Sequence, residues 1–319
     1  MVRTRFVCIS DTHNKRPQEA FKLPKGDVLI HAGDLTNQGT EKELERAIEW
    51  IRQADFEAKI IVPGNHDVIL DREFYAQNAS SYHDGEIGSS ERCLDLLRSP
   101  GLIYLNHTSA TIRLQDPTGP KSTFKVFGSP RLPIVASSRW HRPFGYALDA
   151  REEATQLWDQ IPLDTDIVVT HTPPRDHVDA LKTGTKLGCV FLGEALARVR
   201  PRLAVCGHVH EARGYKRVKW GWAIDGPTEL GFKEINSVIG VLPPRDSKKQ
   251  SLVDLTGKIM PCLDNDGSVG PNDSTEPRVG GRKETCFVNA AIAATQFPHP
   301  GGRKYNAPIV VDIDLPLAI

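Results

Sequence analysis

Histidine, aspartate and asparagine recur in five short patches, and these residue types are common metal ligands. The patches are Asp11-Thr12-His13, Gly33-Asp34, Gly64-Asn65-His66-Asp67, His171 and Gly207-His208-Val209-His210. Carboxylate, amide and imidazole ligands without thiolate favour divalent ions such as Mn, Fe or Zn over a soft-metal centre. A bridging carboxylate allows two ions about 3.5–4 Å apart, the arrangement used for displacement at phosphorus. The patches therefore predict a metal-dependent hydrolase.

Each patch follows an apolar run with the length of a buried strand. The runs are 5–10, 27–32, 59–63, 166–170 and 202–206. Such runs are typical of central strands covered on both faces, and ligand sites in open α/β sheets form at the carboxyl ends of the strands. Residues i and i+2 of an extended segment point to one side, so Asp11 with His13, and His208 with His210, are expected to converge. Glycines at 33, 64 and 207 are expected to permit close backbone approach.

The five patches together resemble the motif set of the calcineurin-like metallophosphoesterase superfamily, D-x-H, GD, GNH[DE], H and GHxH. Within that superfamily, the sequence is most similar to the metallophosphoesterase-domain-containing branch. The similar segments are residues 10–13, 31–36, 127–130, 170–174, 206–211 and 287–290. This resemblance implies an α/β fold of four layers, an α/β/β/α sandwich of two mixed sheets flanked by helices. Because the patches share one site, we expect residues 1–319 to form a single domain.

The resemblance also implies roles for individual residues and two divalent metal ions. The expected ligands are Asp11, His13, Asp34 and His210 for the first ion, and Asp34, Asn65, His171 and His208 for the second. Asp34 and His66 are the candidate catalytic residues, and Asn65 and His66 are the candidate substrate-binding residues. His66 matches a non-ligand histidine that contacts the phosphate and protonates the departing oxygen. The ions are Mn, Fe or Zn, with Mn favoured.

The expected activity is phosphoester hydrolysis, with phosphodiesters ahead of monoesters. A hydroxide bridging the two ions is the expected nucleophile, because metal-bound water loses its proton near neutral pH. An imidazole exchanges protons in the same range, which suits His66 as the acid. The resemblance implies small phosphoester substrates such as cyclic nucleotides, and we expect loops 14–24, 70–90, 130–147 and 172–186 to select among them.

Two other functions remain open on the sequence. One is a nuclease or phosphomonoesterase of the same superfamily. The other is a non-catalytic metal-binding interaction protein that recruits a partner through residues 226–284. The chain carries 40 basic and 40 acidic residues and no basic run, so long nucleic acid is an unlikely partner. The oligomeric state is left undecided.

We expect the protein to be cytoplasmic and not associated with a membrane. No signal-peptide stretch opens the chain and no apolar run is long enough to cross a bilayer. The six cysteines show no CxxC spacing, which favours reduced thiols. Histidines outside the patches are expected to be surface or structural residues, namely His31, His83, His107, His141, His177 and His299.

Helix signals lie between the predicted strands. Thr40 with Glu43 forms a capping box, and Asp149 with Glu152 predicts a second helix that Pro162 ends. Residues 89–98 and 189–200 predict two more helices. Residues 110–127 predict a hairpin at the edge of the second sheet, and residues 307–313 a final strand.

Residues 226–284 depart from the family resemblance. They are polar and rich in turn formers, which predicts a flexible insertion before the final strands. A lid or a partner-binding arm is the alternative, and residues 235–242 include apolar side chains that could form a short ordered piece.

Overall fold

The computed structural model describes residues 1–83, 87–134, 142–225, 229–269, 281–295, 298–299 and 301–318; for residues 222–225 and 229–232 we describe the backbone alone. Its strands are β1 (Val2–Ile9), β2 (Val28–Ala32), β3 (Ala58–Val62), β4 (Leu102–Tyr104), β5 (Thr108–Arg113), β6 (Thr123–Ser129), β7 (Leu132–Ile134), β8 (Gly145–Ala147), β9 (Ile167–Thr170), β10 (Leu203–Cys206), β11 (Gly214–Asp225), β12 (Glu229–Gly240), β13 (Ser251–Asp254), β14 (Glu284–Asn289) and β15 (Ile309–Leu315). Its helices are α1 (Glu41–Gln53), α2 (Arg72–Tyr82), α3 (Ser90–Leu97), α4 (Arg151–Asp159) and α5 (Val190–Val199), with 3₁₀ turns at Val68–Leu70 and His210–Ala212.

Two large mixed sheets form the centre of the fold. The first has the order β13-β15-β1-β2-β3-β4, and the second has the order β12-β11-β14-β10-β9-β6-β5. Strands β1, β2, β3 and β4 are parallel to one another, while β15 runs antiparallel to β1. In the second sheet β6, β9, β10 and β14 are parallel, and β11 turns antiparallel to β14. The parallel strands leave their carboxyl ends along one edge of each sheet.

Alternating side chains of the central strands fill three apolar layers. In β1, Phe6 and Cys8 face the second sheet, whereas Val7 and Ile9 face the first group of helices. In β9, Val169 faces the first sheet and Val168 packs with the helix residue Trp158. Helices α1, α2 and α3 cover one outer face and helices α4 and α5 cover the other. The predicted four-layer α/β/β/α sandwich is therefore confirmed.

The runs that precede the five patches form buried strands, as predicted. They are β1, β2, β3, β9 and β10, and every residue of the last four is buried. The predicted hairpin is the antiparallel pair β5 and β6, with β5 at the sheet edge. The predicted final strand is β15, which lies between β1 and β13.

The predicted helices are present, with two differences. The Thr40 side chain accepts a hydrogen bond from the Glu43 N–H, as the capping box predicts. Helix α4 begins after Ala150 without a side-chain cap, so the expected capping role of Asp149 is wrong. Helix α2 was not predicted, and its weak amphipathic pattern explains this, because only Tyr75 and Ala79 of its residues are buried.

Part of the range 226–284 is regular structure, which corrects the expectation of a flexible insertion for the described residues. Strand β12 pairs along β11, so the apolar residues at 235–240 do form an ordered piece, which ends before residues 241 and 242. Strand β13 joins the first sheet beside β15, and Val253 and Asp254 are buried there. The polar composition misled the prediction because backbone pairing with the neighbouring strands holds these segments. Residues 226–228 and 270–280 lie outside the described residues.

Two further observations bear on the sequence predictions. Among the described residues, no helix combines the length and apolar character needed to cross a membrane. The six cysteines carry free thiols, and all except Cys262 are buried.

Candidate functional site

The five patches meet where the carboxyl ends of strands from the two sheets approach each other. Asp11 follows β1, Asp34 follows β2, and Asn65 and His66 follow β3 in the first sheet. His171 and His208 follow β9 and β10 in the second sheet. The sandwich thus brings residues up to 199 positions apart into one cluster of polar side chains at the sheet edges.

One half of the cluster contains Asp11, His13 and His210, whose ligand atoms all lie within 4.8 Å of one another. His210 Nε2 is 3.3 Å from Asp11 Oδ1 and 3.3 Å from His13 Nε2. The carboxylate of Asp34 is 3.9 Å from His13 Nε2. These are the four residues expected to hold the first ion.

The other half contains Asp34, His171 and His208, again within 4.8 Å. Asp34 Oδ1 is 3.4 Å from His171 Nε2, and Asn65 Oδ1 is 3.2 Å from the same nitrogen. These are the four residues expected to hold the second ion. A third group joins His66 with His13 and Asp34. Asp34 therefore belongs to both halves and lies at the centre of the arrangement.

Four candidate ligands have left-handed backbone conformations. Their φ angles are 54° for Asp11, 44° for His13, 54° for Asp34 and 66° for His208. Residues with a side chain rarely adopt this region, and such strain concentrates at functional sites. The expected reason for convergence is therefore wrong in detail, because Asp11 and His13 meet through a turn and not through an extended segment. His208 and His210 belong to different halves for the same reason.

Two glycines make room for the central carboxylates, as predicted. A Cβ on Gly64 would overlap the carboxylate of Asp34, and a Cβ on Gly207 would overlap that of Asp11. A side chain at either position would displace a candidate ligand.

The ring orientations are fixed by backbone carbonyls. His171 Nδ1 donates to Ala32 O at 2.9 Å, and His210 Nδ1 donates to Thr295 O at 3.1 Å. Each bond leaves Nε2 facing the cluster, where the neutral ring would offer its lone pair to a cation. Metal-ligating histidines usually have such a second partner, which sets the tautomer.

Electrostatics in the cluster favour charged carboxylates beside imidazoles. Burial acts to raise the pKa of Asp34, but His171, His66 and His13 outweigh it and hold that pKa well below its ordinary value. Burial acts to lower the pKa of His171, but the Asp34 carboxylate outweighs it and raises the pKa to about 9. Burial lowers the pKa of His13 to about 4 and that of His208 to about 3. Two buried anions facing inward-pointing imidazole nitrogens form an environment that suits bound cations.

His66 is held by the loop at residues 37–39, for which no sequence motif predicts a role in the site. Its Nδ1 donates to Asn37 O at 2.6 Å, and its backbone N–H donates to Asp34 Oδ1 at 2.8 Å. The Glu43 carboxylate accepts the backbone N–H groups of Asn37, Gln38 and Gly39 at 3.2, 2.7 and 3.1 Å. Glu43 thus fixes the carbonyl that orients His66. Its place in a capping box gave no signal of this second role.

Asp67 supports the loops and does not bind His66. Its carboxylate accepts the N–H groups of Gly64 at 2.8 Å and Thr36 at 2.9 Å, and the hydroxyl of Thr36 at 2.7 Å. Burial raises its pKa to about 6. Asp67 therefore joins the loop after β2 to the loop after β3.

Asn289 stabilises the loop that carries His208 and His210. Its side-chain amide donates to Gly207 O at 3.4 Å, Val209 O at 3.0 Å and Val178 O at 3.1 Å. Asn289 lies within the matched motif at residues 287–290, but that motif by itself predicts no role for it. The bond from His210 to Thr295 had no sequence signal, because the two residues are 85 positions apart.

The histidines outside the patches mostly behave as expected. His31, His83 and His177 are buried and hydrogen-bonded, and His107 bonds Ser129. His141 lies outside the described residues. His299 Nδ1 hydrogen-bonds Thr295 Oγ1 at 3.0 Å, as expected of a structural histidine, and it also lines a cavity beside His66 and His210.

The arrangement suits two divalent ions. Each half combines carboxylate oxygen with imidazole nitrogen, and the second half adds the Asn65 amide oxygen. These are ligands that Mn, Fe and Zn accept. Both halves share Asp34, as a bridging carboxylate would require.

Comparisons with known proteins agree with this geometry. A model of a family described as calcineurin-like phosphoesterase matches residues 4–212. Metallophosphoesterase domain-containing protein 1 of Homo sapiens is 35% identical over 220 residues, which are 66% of this chain and 62% of the human protein. Probable rhamnogalacturonate lyase C of Emericella nidulans is 40% identical over 218 residues, 68% of this chain but 18% of that protein. This chain thus spans less than two thirds of either relative.

A likeness to a solved structure is weaker. GAP50, described as the anchor in the inner membrane complex of Plasmodium, aligns with 69% of this chain at 12% identity and a TM-score of 0.36.

Proposed function

Since this chain belongs to the calcineurin-like phosphoesterase family, we propose that it hydrolyses small phosphodiesters with the help of two divalent metal ions. The observation that carries the proposal is the pair of ligand groups that share Asp34. One group is Asp11, His13 and His210 with Asp34, and the other is Asp34, Asn65, His171 and His208. Manganese is the first choice of metal, because the ligand set has no thiolate and includes the carboxylate oxygens of Asp11 and Asp34 and the amide oxygen of Asn65.

The two ions, when bound, neutralise charge on the phosphoryl oxygens and supply an activated water as nucleophile. The protein contributes the positions of their ligands. The carbonyls of Ala32 and Thr295 hold the Nε2 atoms of His171 and His210 toward the cluster. Asp34 remains anionic because its neighbours keep its pKa low.

His66 is the proposed general acid. Its Nδ1 proton is held by Asn37 O, so Nε2 is the nitrogen that exchanges a proton with the departing oxygen. His66 also lines the accessible side of the cluster, where a substrate can reach it. Asn65 and His66 together are the proposed phosphate contacts.

Small substrates fit this site better than long nucleic acid. The chain is neutral overall, with 40 basic and 40 acidic residues, and long nucleic acid usually binds a basic surface. Cyclic nucleotides and aryl phosphodiesters are therefore the proposed substrate classes.

Metal restoration tests the proposal. Protein stripped with a chelator is resupplied with Mn, Fe or Zn and assayed on bis(4-nitrophenyl) phosphate, cyclic nucleotides, 4-nitrophenyl phosphate and oligonucleotides. We expect turnover to return with the metal and to be fastest on small diesters. Metal content is measured on the same samples.

Three outcomes contradict specific parts of the proposal. Faster turnover of oligonucleotides would indicate a nuclease, and faster turnover of the monoester would indicate a phosphomonoesterase. Full metal occupancy without hydrolysis of any ester would indicate a metal-binding interaction protein.

A further inference from the structure

A cavity of about 370 Å³ lies on the accessible side of the candidate metal site. His13, His66 and His210 line it on the metal side, together with Asn37. The opposite wall comes from the chain after β14, which the sequence analysis did not include among the substrate-selecting loops. Its lining residues are Ala293, Thr295, His299, Arg303, Lys304 and Tyr305. We call this cavity the C-terminal pocket.

Backbone hydrogen bonds attach this wall to the metal-ligand loop. Ile292 N donates to Ser10 O at 2.8 Å, and Ala293 N donates to Asp11 O at 3.2 Å. Within the wall itself, Ala294 N donates to Lys304 O at 2.8 Å, which joins the segment that carries Arg303 and Lys304 to the segment after β14. The wall therefore keeps its position relative to Asp11, and the pocket is part of the same site.

The pocket has a positive lining. Arg303 and Lys304 contribute two exposed cations, and the described lining residues include no carboxylate. Within the part of the chain that the structure describes, neither cation takes part in an ion pair. This local excess of positive charge occurs in a chain whose formal net charge is zero. Cations without an ion-pair partner, placed beside the site proposed to bind the phosphate, attract a ligand with more than one negative charge.

The size of the pocket suits a ring-sized group. Its volume is at the small end of the about 300–1,000 Å³ of small-molecule sites. Tyr305 adds an aromatic wall, and Ala293 adds apolar surface. A group bound there lies next to His66.

We propose that the C-terminal pocket binds the leaving alcohol of the substrate, and that preferred phosphoesters carry a second negative charge on that alcohol. This proposal rests on the proposed function, because it assumes that His66 is the general acid. The leaving alcohol then departs on the side of His66 that faces the C-terminal pocket. The departing oxygen must lie next to the general acid, and the remainder of the alcohol then extends into the pocket. Arg303 and Lys304 select the charge of that remainder.

Two non-hydrolysable ligands of equal shape test this selection. 4-Carboxyphenylphosphonate and 4-nitrophenylphosphonate both carry a planar three-atom group, but only the first is anionic at that group. We expect the metal-loaded protein to bind the carboxylate ligand about fivefold more tightly, as for an exposed ion pair. Binding is measured by calorimetry, and the Arg303→Gln/Lys304→Gln variant is expected to bind both ligands equally.

A matched variant distinguishes the effect of charge inside the pocket from the effect of the overall charge of the protein. Lys25 and Arg113 are exposed and lie at the opposite edge of the sandwich, before β2 and at the end of β5. The Lys25→Gln/Arg113→Gln variant removes the same charge and is expected to keep the fivefold preference. Equal affinity in the native protein, binding of neither ligand, or a preference that survives Arg303→Gln/Lys304→Gln would overturn the pocket assignment.

The two proposals fail separately. Hydrolysis of bis(4-nitrophenyl) phosphate tests the phosphoesterase function and does not depend on the charged leaving group. If that ester is turned over while the phosphonates bind equally, the pocket assignment alone is wrong. If no ester is hydrolysed while the phosphonate preference depends on Arg303 and Lys304, the charge selection of the pocket stands and the catalytic proposal is wrong.

Discussion

Residues 4–212 and residues 213–318 contribute to the site in different ways. Every candidate ligand lies in the first part, which is also the part that the family model matches. The second part contributes support. Strands β14 and β15 lie within the two sheets, Asn289 holds the loop of His208, and the Thr295 carbonyl orients His210.

The difference shows that the candidate ligands are all encoded in the first part, whereas their placement depends on both parts of the chain. The carbonyl of Ala32 orients His171 from the first part, and the carbonyl of Thr295 orients His210 from the second. A short motif supplies a side chain of the right chemistry. Its orientation depends on backbone carbonyls and amides far away in sequence. We therefore expect changes to the candidate ligands to remove chemistry, and changes to the residues that support them, such as Asn289, to reduce metal affinity and stability.

The largest effect is expected from Asp34→Asn. This change removes the carboxylate that both ligand groups share, so metal content should fall and activity should drop by about a thousandfold or more. Elemental analysis and an assay on bis(4-nitrophenyl) phosphate measure the two effects. Asp27→Asn is the control, because Asp27 lies at the other end of β2 and accepts from Arg5 N. Retained metal with full activity in Asp34→Asn would contradict the shared-ligand assignment.

His66→Ala is expected to slow hydrolysis by about a hundredfold while both ions stay bound. The loss should be larger for esters with poor leaving groups, because these need a proton from the acid. A series of aryl diesters with leaving phenols of increasing pKa measures this dependence. His66 shares a group with His13 and Asp34, so loss of metal in this variant would show that His66 is a ligand.

Asn289→Leu tests the supporting part. The change removes the amide donor to Val178 O and one of the two donors to each of Gly207 O and Val209 O, so we expect a loss of about 2–4 kcal/mol in unfolding free energy. Metal affinity should fall by about tenfold, as for other residues that orient ligands. Urea unfolding and metal titration measure the two quantities.

The matched control is Asn265→Leu. Asn265 is also buried and donates to the carbonyls of Arg200 and Glu284, away from the site. It should lose similar stability and keep its metal affinity. Equal losses of affinity in both variants would indicate a general structural effect.

The smallest effect concerns His177, which joins the two parts of the chain. Its ring stacks on Phe287 at 4.2 Å. Burial lowers the pKa of His177 to about 4, with Lys216, Glu234, Asp176 and Lys186 as the charged groups around it.

Because the pKa is lower in the folded state, the unfolded state binds this proton first. Stability should therefore fall between about pH 6.5 and pH 4, by at most about 3 kcal/mol. The His177→Phe variant should lack this pH-dependent part of the unfolding free energy, while its activity at pH 7 stays unchanged. Denaturant unfolding of metal-free protein at several pH values gives the comparison. Parallel pH curves for the two proteins would show that His177 makes no contribution.

Much of the fold was predictable because its signals are local. Apolar runs before Asp11, Asp34 and His171 identified buried strands, and the Thr40 cap identified α1. Strand β13 was missed because its four residues sit within a polar stretch, and their burial depends on pairing with β15. Helix α2 was missed because few of its residues are buried.

The site was predictable to the same extent. The residue types of the patches indicated which side chains are candidate metal ligands, whereas the supporting roles of Glu43 and Asn289 had no local pattern that distinguished them. The C-terminal pocket was not predicted at all. Its wall contains no motif, and it meets the site through backbone bonds such as Ala293 to Asp11.

The sequence by itself determined the candidate ligands and the family of this protein, because side-chain type decides which atoms can bind a cation or carry a proton. The tertiary structure decided how the ligands divide into two groups, which carbonyls orient their rings, and which residues face the pocket. These features arise from left-handed turns and from strands paired across long stretches of chain. Their energies depend on distances between residues that no short motif contains.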